Sequence, residues 1–336
     1  MKDPYGNVVG VKQQTPNKSA VAHIDFVPRI DDVEYGKVEQ VSPLIRRVIA
    51  QNPSKFTYHG TGTYIVGHRN VAVIDPGPVL ESHREALQRA LVGQHVKAIV
   101  ITHCHSDHSP LARWLYELTG APTIAIGPHA DSVSDDLDDA GDEASDEESD
   151  EAVDRDFVPT HTVTDGDVIV DTGEFTLTAV STPGHTSNHM CVALAQERAL
   201  FSGDHVMGWS TTIVSPPDGD MRAYIESLRK VQQRDDGILW PTHGGPVTNP
   251  QTYLSQYLRH RLDREAQILQ CLTDNVTTIA EMVNFLYADV SVELHKAAGR
   301  SVLSHLIKLI GDGRAVVVDH SAPRRTANFA LTRPVF

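Results

Sequence analysis

An apolar run, Val96-Lys97-Ala98-Ile99-Val100-Ile101-Thr102, passes directly into His103-Cys104-His105-Ser106-Asp107-His108. So short and apolar a run reads as a strand buried on both faces, which asks for a mixed α/β domain with helices covering a sheet. The polar cluster then stands at a strand end. Residues two apart on an extended segment point the same way, so His103 and His105 can approach one ion from the same side. After the chain turns, Asp107 and His108 offer an oxygen and a nitrogen to a second site. Imidazole nitrogen with carboxylate oxygen suits zinc, and manganese and iron accept the same donors. Cys104 lies between two of these residues and reads as a small packed thiol pointing away.

Histidine is common here, 18 residues in 336, so about one His-x-His pair is expected by chance. Requiring an acid two positions later and a histidine after it leaves about 0.007 chance matches, so the whole cluster carries information.

Helical and extended patterns alternate around it. Ser82–Leu91 puts Ala86, Leu87, Ala90 and Leu91 on one helical face ahead of Gly93. Leu111, Trp114, Leu115 and Leu118 predict a short helix ending at Gly120, and Thr123–Ile126 the next strand. Strand-like runs resume at Phe175–Val180, Met190–Leu194 and Ala199–Phe201. Beyond Pro250 the pattern turns helical, with Leu254, Leu258 and Leu262 four residues apart and a capping box at Thr278 and Glu281. A helix over Ser301–Ile310 and two short strands, Ala315–Val318 and Asn328–Leu331, complete a winged-helix pattern. The expected division is an arm over 1–30, a catalytic domain over 31–250 and a winged-helix-like domain over 251–336.

The formal charge of −15 is concentrated. Residues 131–156 hold 14 Asp/Glu and one Arg, leaving 30 acids against 28 bases elsewhere. That tract reads as a solvated insertion. A calcium loop over Asp136–Glu147 fails because its fifth position is Ala140. No apolar run reaches about 18 residues, the N-terminus lacks a cleavable leader pattern, and three scattered cysteines build no disulfide framework. A soluble, cytoplasmic protein with no membrane partner is expected.

The cluster His103-x-His105-x-Asp107-His108 resembles the signature of the metallo-β-lactamase superfamily. The family's other motifs follow in order: Ile74-Asp75-Pro76-Gly77, Thr182-Pro183-Gly184-His185-Thr186, Ser202-Gly203-Asp204-His205 and Pro241-Thr242-His243-Gly244. The resemblance implies a four-layer αββα sandwich. It implies one metal ion held by His103, His105 and His185, another by Asp107, His108 and His243, and a bridge from Asp204. Asp75 supports the ligand loop without binding metal, and His205 reads as structural. Two divalent ions, Zn2+ first and Mn2+ or Fe2+ after it, would share a hydroxide that Asp107 orients and deprotonates in attack on phosphorus or carbonyl.

An acid at Asp204 resembles glyoxalase II, lactonase and nuclease members, where antibiotic-hydrolysing members generally carry cysteine or serine. Only 39 residues separate Asp204 from His243, too few for the insertion of the RNA-processing and DNA-repair nucleases. Val41-Ser42, Asn52-Pro53, Gly60-Thr61-Gly62-Thr63-Tyr64, Ser202–Gly208 and the winged-helix tail make the chain most similar to the beta-lactamase-like protein 2 branch, with Gly62 replacing a more usual Asn. Animal members of that branch resemble single-strand RNA endonucleases, and bacterial ones are loosely glyoxalase II-like. Single-stranded RNA is therefore the first substrate expected. A small thioester, ester or lactone is the alternative, and a non-catalytic, metal-stabilised nucleic-acid regulator is a third reading.

The tail carries ten Arg/Lys against eight Asp/Glu. Arg300, Ser304 and Lys308 share a helical face, and Arg324 and Arg325 sit by the wing, so these four basic residues are candidate RNA contacts. The opposing reading packs the tail on the catalytic domain or on a second copy in a homodimer. Trp209, in Gly208-Trp209-Ser210-Thr211-Thr212, is the candidate wall of the substrate site, with a packing role the equal alternative.

Overall fold

The computed structural model describes residues 21–28, 30, 33–129 and 152–332, which fall into two compact units divided between Arg261 and Leu262. Most of the acidic tract, 131–151, and residues 1–20 of the expected arm lie outside the described residues.

The first unit is built on two sheets. One has seven strands in chain order: β1 (Val38–Gln40), β2 (Ile45–Ile49), β3 (Gly62–Val66), β4 (Asn70–Ile74), β5 (His95–Val100), β6 (Thr123–Ala125) and β7 (His161–Thr162). Its first four strands run antiparallel and the pairs from β4 to β7 are parallel. Parallel neighbours need crossovers. Helix α1 (Glu81–Ala90) supplies one and α2 (Leu111–Thr119) the next, each within a residue of its expected bounds. Gly120 ends α2 at φ +71°, the left-handed cap a glycine allows.

The second sheet has the order β12 (Ile238–Pro241), β11 (Ala199–Gly203), β10 (Met190–Leu194), β9 (Thr176–Ser181), β8 (Val168–Asp171). The strand period of two assigns each face a partner. Ala72, Ile74, Ala98 and Val100 of the first sheet meet Leu177, Ala179, Val192 and Phe201 of the second in one apolar cluster. Val71, Val73, Ile99 and Ile101 point the other way, onto Ala86 and Leu87 of α1 and Leu111 and Leu115 of α2. Helix α3 (Met221–Gln232) lies beside β9, where Lys230 donates to Ser181 O at 2.8 Å and Ser227 to Pro183 O at 2.8 Å. The strand expected over 96–102 is buried only from Ala98 onward; His95 and Lys97 are exposed.

The C-terminal ends of β4, β5, β9, β11 and β12 are followed, within a few residues, by Asp75, His103, His185, Asp204 and His243. The last residues described before and after these strands also differ from the expected arm and insertion. Ile24 is buried, and Val27 donates to Gly208 O at 2.8 Å. Ser106 donates to Ala152 O at 2.7 Å and Asp154 to Cys104 O at 2.8 Å. Ala152 and Asp154 therefore strap the end of the tract to the histidine-rich segment beside buried Phe157, while Arg155 and Asp156 stay exposed.

Helix α4 (Pro250–Thr273) crosses from the first unit into the second. The second unit adds α5 (Ile279–Leu286), α6 (His295–Gly311), β13 (Ala315–Val317) and β14 (Phe329–Leu331), the two strands pairing antiparallel. Thr278 and Glu281 form the expected capping box. Helix α6 starts six residues before the expected Ser301, and its supposed basic face turns inward: Ser304 is buried. Lys308 sits between Glu265 at 2.7 Å and Asp312 at 2.8 Å, and Glu265 also takes Arg314 at 2.9 Å. Arg300, Arg324 and Arg325 are half-buried. An ammonium already held by two carboxylates is not presented to a phosphate, which corrects the reading of Lys308 as an RNA contact.

Candidate metal centre

Donor atoms of three residue groups lie within 4.8 Å of one another: His103, His105 and His185; His103, His108 and Asp204; and Asp107, His108 and His243. All seven residues singled out as ligands thus meet in one place, although they span 140 positions between His103 and His243.

The hydrogen bonds behind each ring set the direction of its lone pair. His185 donates from Nδ1 to Ile213 O at 2.7 Å, and His243 from Nδ1 to Gly60 O at 3.1 Å, so both turn Nε2 towards the other donors. Thr102 Oγ1 donates to Asp75 Oδ2 at 2.7 Å and therefore accepts from His103 Nδ1 at 3.1 Å, which leaves His103 Nε2 bare. His105 Nδ1 lies 3.0 Å from His103 Nε2 and 3.2 Å from His185 Nε2. A hydrogen on His105 Nδ1 could serve only one of these two lone pairs, whereas a cation serves all three nitrogens. His108 Nε2 and Asp204 Oδ1 are buried with no hydrogen-bond partner. The residues present fit a pair of divalent ions.

The two halves differ electrically. Burial, then neighbouring imidazoles, pushes His103 well below its ordinary value, and burial with His185 pushes His105 down to about 3. Both are neutral, the ligating form. Burial alone would also lower His108, but the carboxylates of Asp107, Asp204 and Asp75 outweigh it and raise His108 to about 9. His243 is likewise raised against burial by Asp204 and Asp107. Burial opposes ionisation of Asp107, yet His108 and His243 bring it down to about 2. The carboxylates thus make this half the one that favours positive charge.

Asp75 stands outside the three donor groups and holds one of their members, His108, from behind. Its Oδ1 accepts from Thr102 N at 2.8 Å, and its Oδ2 from His108 Nδ1 at 2.9 Å and Thr242 Oγ1 at 3.3 Å. One carboxylate thus joins the segments after β4, β5 and β12. Cys104 points away as expected, its buried thiol accepting from Asn188 Nδ2 at 2.9 Å.

Three supports were missed from the sequence. Thr61 Oγ1 donates to Asp107 Oδ2 at 2.7 Å. His189 accepts from Asp204 N at 3.2 Å through Nε2, and so donates from Nδ1 to Thr182 Oγ1 at 2.9 Å. Ser109 Oγ donates to Asp154 Oδ2 at 2.6 Å. A histidine four residues after His185 was the one available signal, and nothing distinguished it among 18.

Around the donors the cavity is lined by Phe56, Thr57, Met207 and Ile213. Trp209 does not line it. It stacks on Tyr58 with ring centroids 4.6 Å apart and planes 5° from parallel, and so braces the wall from behind. His205 is buried against Tyr224, the structural place expected for it.

This fold and cluster place the chain in the metallo-beta-lactamase superfamily: the superfamily model matches residues 58–243, and a beta-lactamase associated winged helix domain matches 278–322. The Beta-lactamase-like protein 2 homolog of Caenorhabditis elegans is 31% identical over 293 residues, 85% of this chain and 90% of that one. An Atrochrysone carboxyl ACP thioesterase of Aspergillus chevalieri is 30% identical over 288 residues, 82% of this chain and 83% of that one. A beta-lactamase domain protein from Burkholderia ambifaria shares the fold with TM-score 0.73 at 22% identity, over 90% of this chain and 96% of that one. The chain is a hydrolase of a metal-dependent superfamily, and none of its described helices is long and apolar enough to cross a membrane.

Proposed function

We propose that the chain hydrolyses a thioester or ester of low charge at a dinuclear metal centre held by His103, His105, His185, Asp107, His108, His243 and Asp204. The observation that carries this reading is the lining: among the described residues, Phe56, Thr57, Met207 and Ile213 surround the donors and no lysine or arginine does. A phosphodiester chain asks for cations beside its phosphates, whereas an acyl group asks for apolar walls. The thioesterase relatives support the same choice. The expected RNA reading keeps the winged-helix domain in its favour. It loses Lys308, whose charge is spent on Glu265 and Asp312.

The chemistry such an ion pair supplies when bound is Lewis-acid polarisation and a water of lowered pKa, and Zn2+ suits the nitrogen and oxygen donors. The chain's own residues do the rest. Asp107, its carboxylate fixed by Thr61, is placed to orient the attacking water and take its proton. Asp75 and Ile213 O hold His108 and His185 in the tautomers that face inward. Phe56, Met207 and Ile213 exclude water from the acyl side.

The test offers zinc- and manganese-loaded protein an acyl thioester, a lactone, a single-stranded RNA oligonucleotide and a cephalosporin. The expected result is turnover of the thioester or lactone above the others. Cleavage of RNA with no thioester or lactone turnover would overturn the proposal.

A further inference from the structure

The segment from Asp204 to Ile213 is neither helix nor strand, yet much of it is buried: Val206, Met207 and Thr212 are almost completely covered. Buried carbonyls outside regular structure need donors from elsewhere. Here the donors are side chains. Tyr224 Oη donates to His205 O at 2.8 Å and Thr212 Oγ1 to Asp204 O at 2.8 Å. Ser202 Oγ donates to Val206 O at 2.8 Å, and three further donors come from α4. Tyr253 Oη and Tyr257 Oη each lie 2.8 Å from Met207 O, Tyr257 Oη also contacts Ser210 O, and Arg261 Nη2 contacts Thr212 O. One hydroxyl has one hydrogen to give. With Tyr253 donating to Met207 O and Tyr257 to Ser210 O every acceptor is served, since Gly208 O already takes Val27 N at 2.8 Å.

Tyr253, Tyr257 and Arg261 stand four residues apart, on one helical face, and are 5%, 0% and 3% exposed. Packing alone would be met by Leu or Phe. Polar tips at all three positions, each ending on a carbonyl of the same short segment, are the arrangement of a clamp. Arg261 makes the point most sharply: its buried guanidinium has no carboxylate partner among the described residues, lying instead over the Tyr224 ring at 5.1 Å and against Thr212 O. A buried cation without a counter-ion is costly to keep. The clamped segment begins at Asp204 and ends at Ile213, whose carbonyl receives His185 Nδ1. It also contributes Met207 and Ile213 to the cavity lining.

We infer that Tyr253, Tyr257 and Arg261 are positioning residues for the metal centre: by fixing the backbone of residues 207–212 they set the orientation of Asp204 and His185 and the gap between Met207 and Ile213. The inference rests on the ligand assignment proposed above and is independent of the substrate.

The experiment measures zinc affinity by competition with a chromophoric chelator, alongside kcat, KM and thermal melting, in the full-length chain and its variants. Tyr257→Phe removes a hydroxyl and nothing else, and is the isosteric check should Arg261→Met fail to fold. Tyr257→Phe and Arg261→Met are each expected to weaken binding of at least one zinc ion about 10-fold or more, the usual effect of losing a ligand's support, with a matching fall in kcat. Arg261→Lys, which keeps a donor and the charge, should recover part of both. Variants that melt earlier but bind two zinc ions with wild-type affinity and turn over normally would overturn the clamp and leave only packing. Failure of the underlying readings is separately visible: a wild type that binds no zinc removes the ligand assignment, and one that binds two ions but hydrolyses none of the offered esters removes the substrate class alone.

Discussion

Ser109 donates its hydroxyl to the carboxylate of Asp154 at 2.6 Å, joining the residue after the histidine-rich cluster to the last turn of the acidic tract. Together with Ala152 and Asp154 backbone bonds to Ser106 and Cys104, this makes the end of the tract part of the ligand loop's support. Removing residues 131–151 should therefore leave zinc content near two ions per chain, whereas removal through Asp156 should lower it. Asp154→Ala alone should cost roughly 1–3 kcal/mol of stability by leaving Ser109 and its surroundings unsatisfied. Elemental analysis and thermal melting of the three proteins check this. Equal zinc content in both deletions would show that the strap is dispensable.

Asp75→Asn should weaken zinc binding and turnover by about 10–100-fold. The carboxylate accepts from Thr102 N, Thr102 Oγ1, His108 Nδ1 and Thr242 Oγ1, all of which are donors in that arrangement. An amide has one acceptor oxygen and turns an NH2 group on the rest. Chelator competition reads the loss directly, and an unchanged affinity would place the control of His108 elsewhere.

Lys308→Ala should destabilise the second unit by about 2–3 kcal/mol, because it withdraws the shared cation of Glu265 and Asp312. It should not change the salt dependence of any nucleic-acid binding, since a lost phosphate contact would shift the log–log slope by about one. Denaturant melts and salt-titrated binding to a single-stranded oligonucleotide provide the two readings.

The three cysteines should be silent in the folded protein. Burial pushes Cys104 and Cys191 up to about 12 and Cys271 to about 11. Thiols of the unfolded chain ionise near pH 8.5. The folded state therefore holds these protons longer, so their contribution to stability is complete below about pH 8.5 and is lost as pH rises towards 11 to 12. A disulfide reagent at pH 8 should label none of the three natively and all three in denaturant. Prompt native labelling would contradict the burial.

Four of the candidate ligands are legible in the spacing His103-x-His105-x-Asp107-His108, whereas His185, Asp204 and His243 are legible only through the resemblance of their motifs. Their supports were silent. Thr61 meets Asp107 across 46 positions and Glu265 meets Lys308 across 43, distances over which no local period operates. Helix α4 shows a subtler limit. Its leucines at 254, 258 and 262 suggested the buried stripe, yet Leu258 and Leu262 are only half-buried while Tyr253, Tyr257 and Arg261, one residue earlier at each step, are covered. Hydrophobicity ranks leucine above tyrosine, and a segment rich in unpaired carbonyls reverses the order. Of the two roles open to Trp209 in the sequence, substrate wall or packing, the stack on Tyr58 is the packing one.

That the candidate ligands follow the C-terminal ends of strands from both sheets has a consequence for how the protein matures. The histidine trio is complete once residue 185 has been made, but the second half waits for His243 and for β12 to dock parallel to β11. Joining β12 to β11 spans the 39 positions from Ala199 to Ile238, so this closure follows that of the β10–β11 hairpin, where Leu194 faces Ala199. Uptake of a second ion at the proposed site would then report on the docking of β12, a readout of sheet assembly separate from turnover.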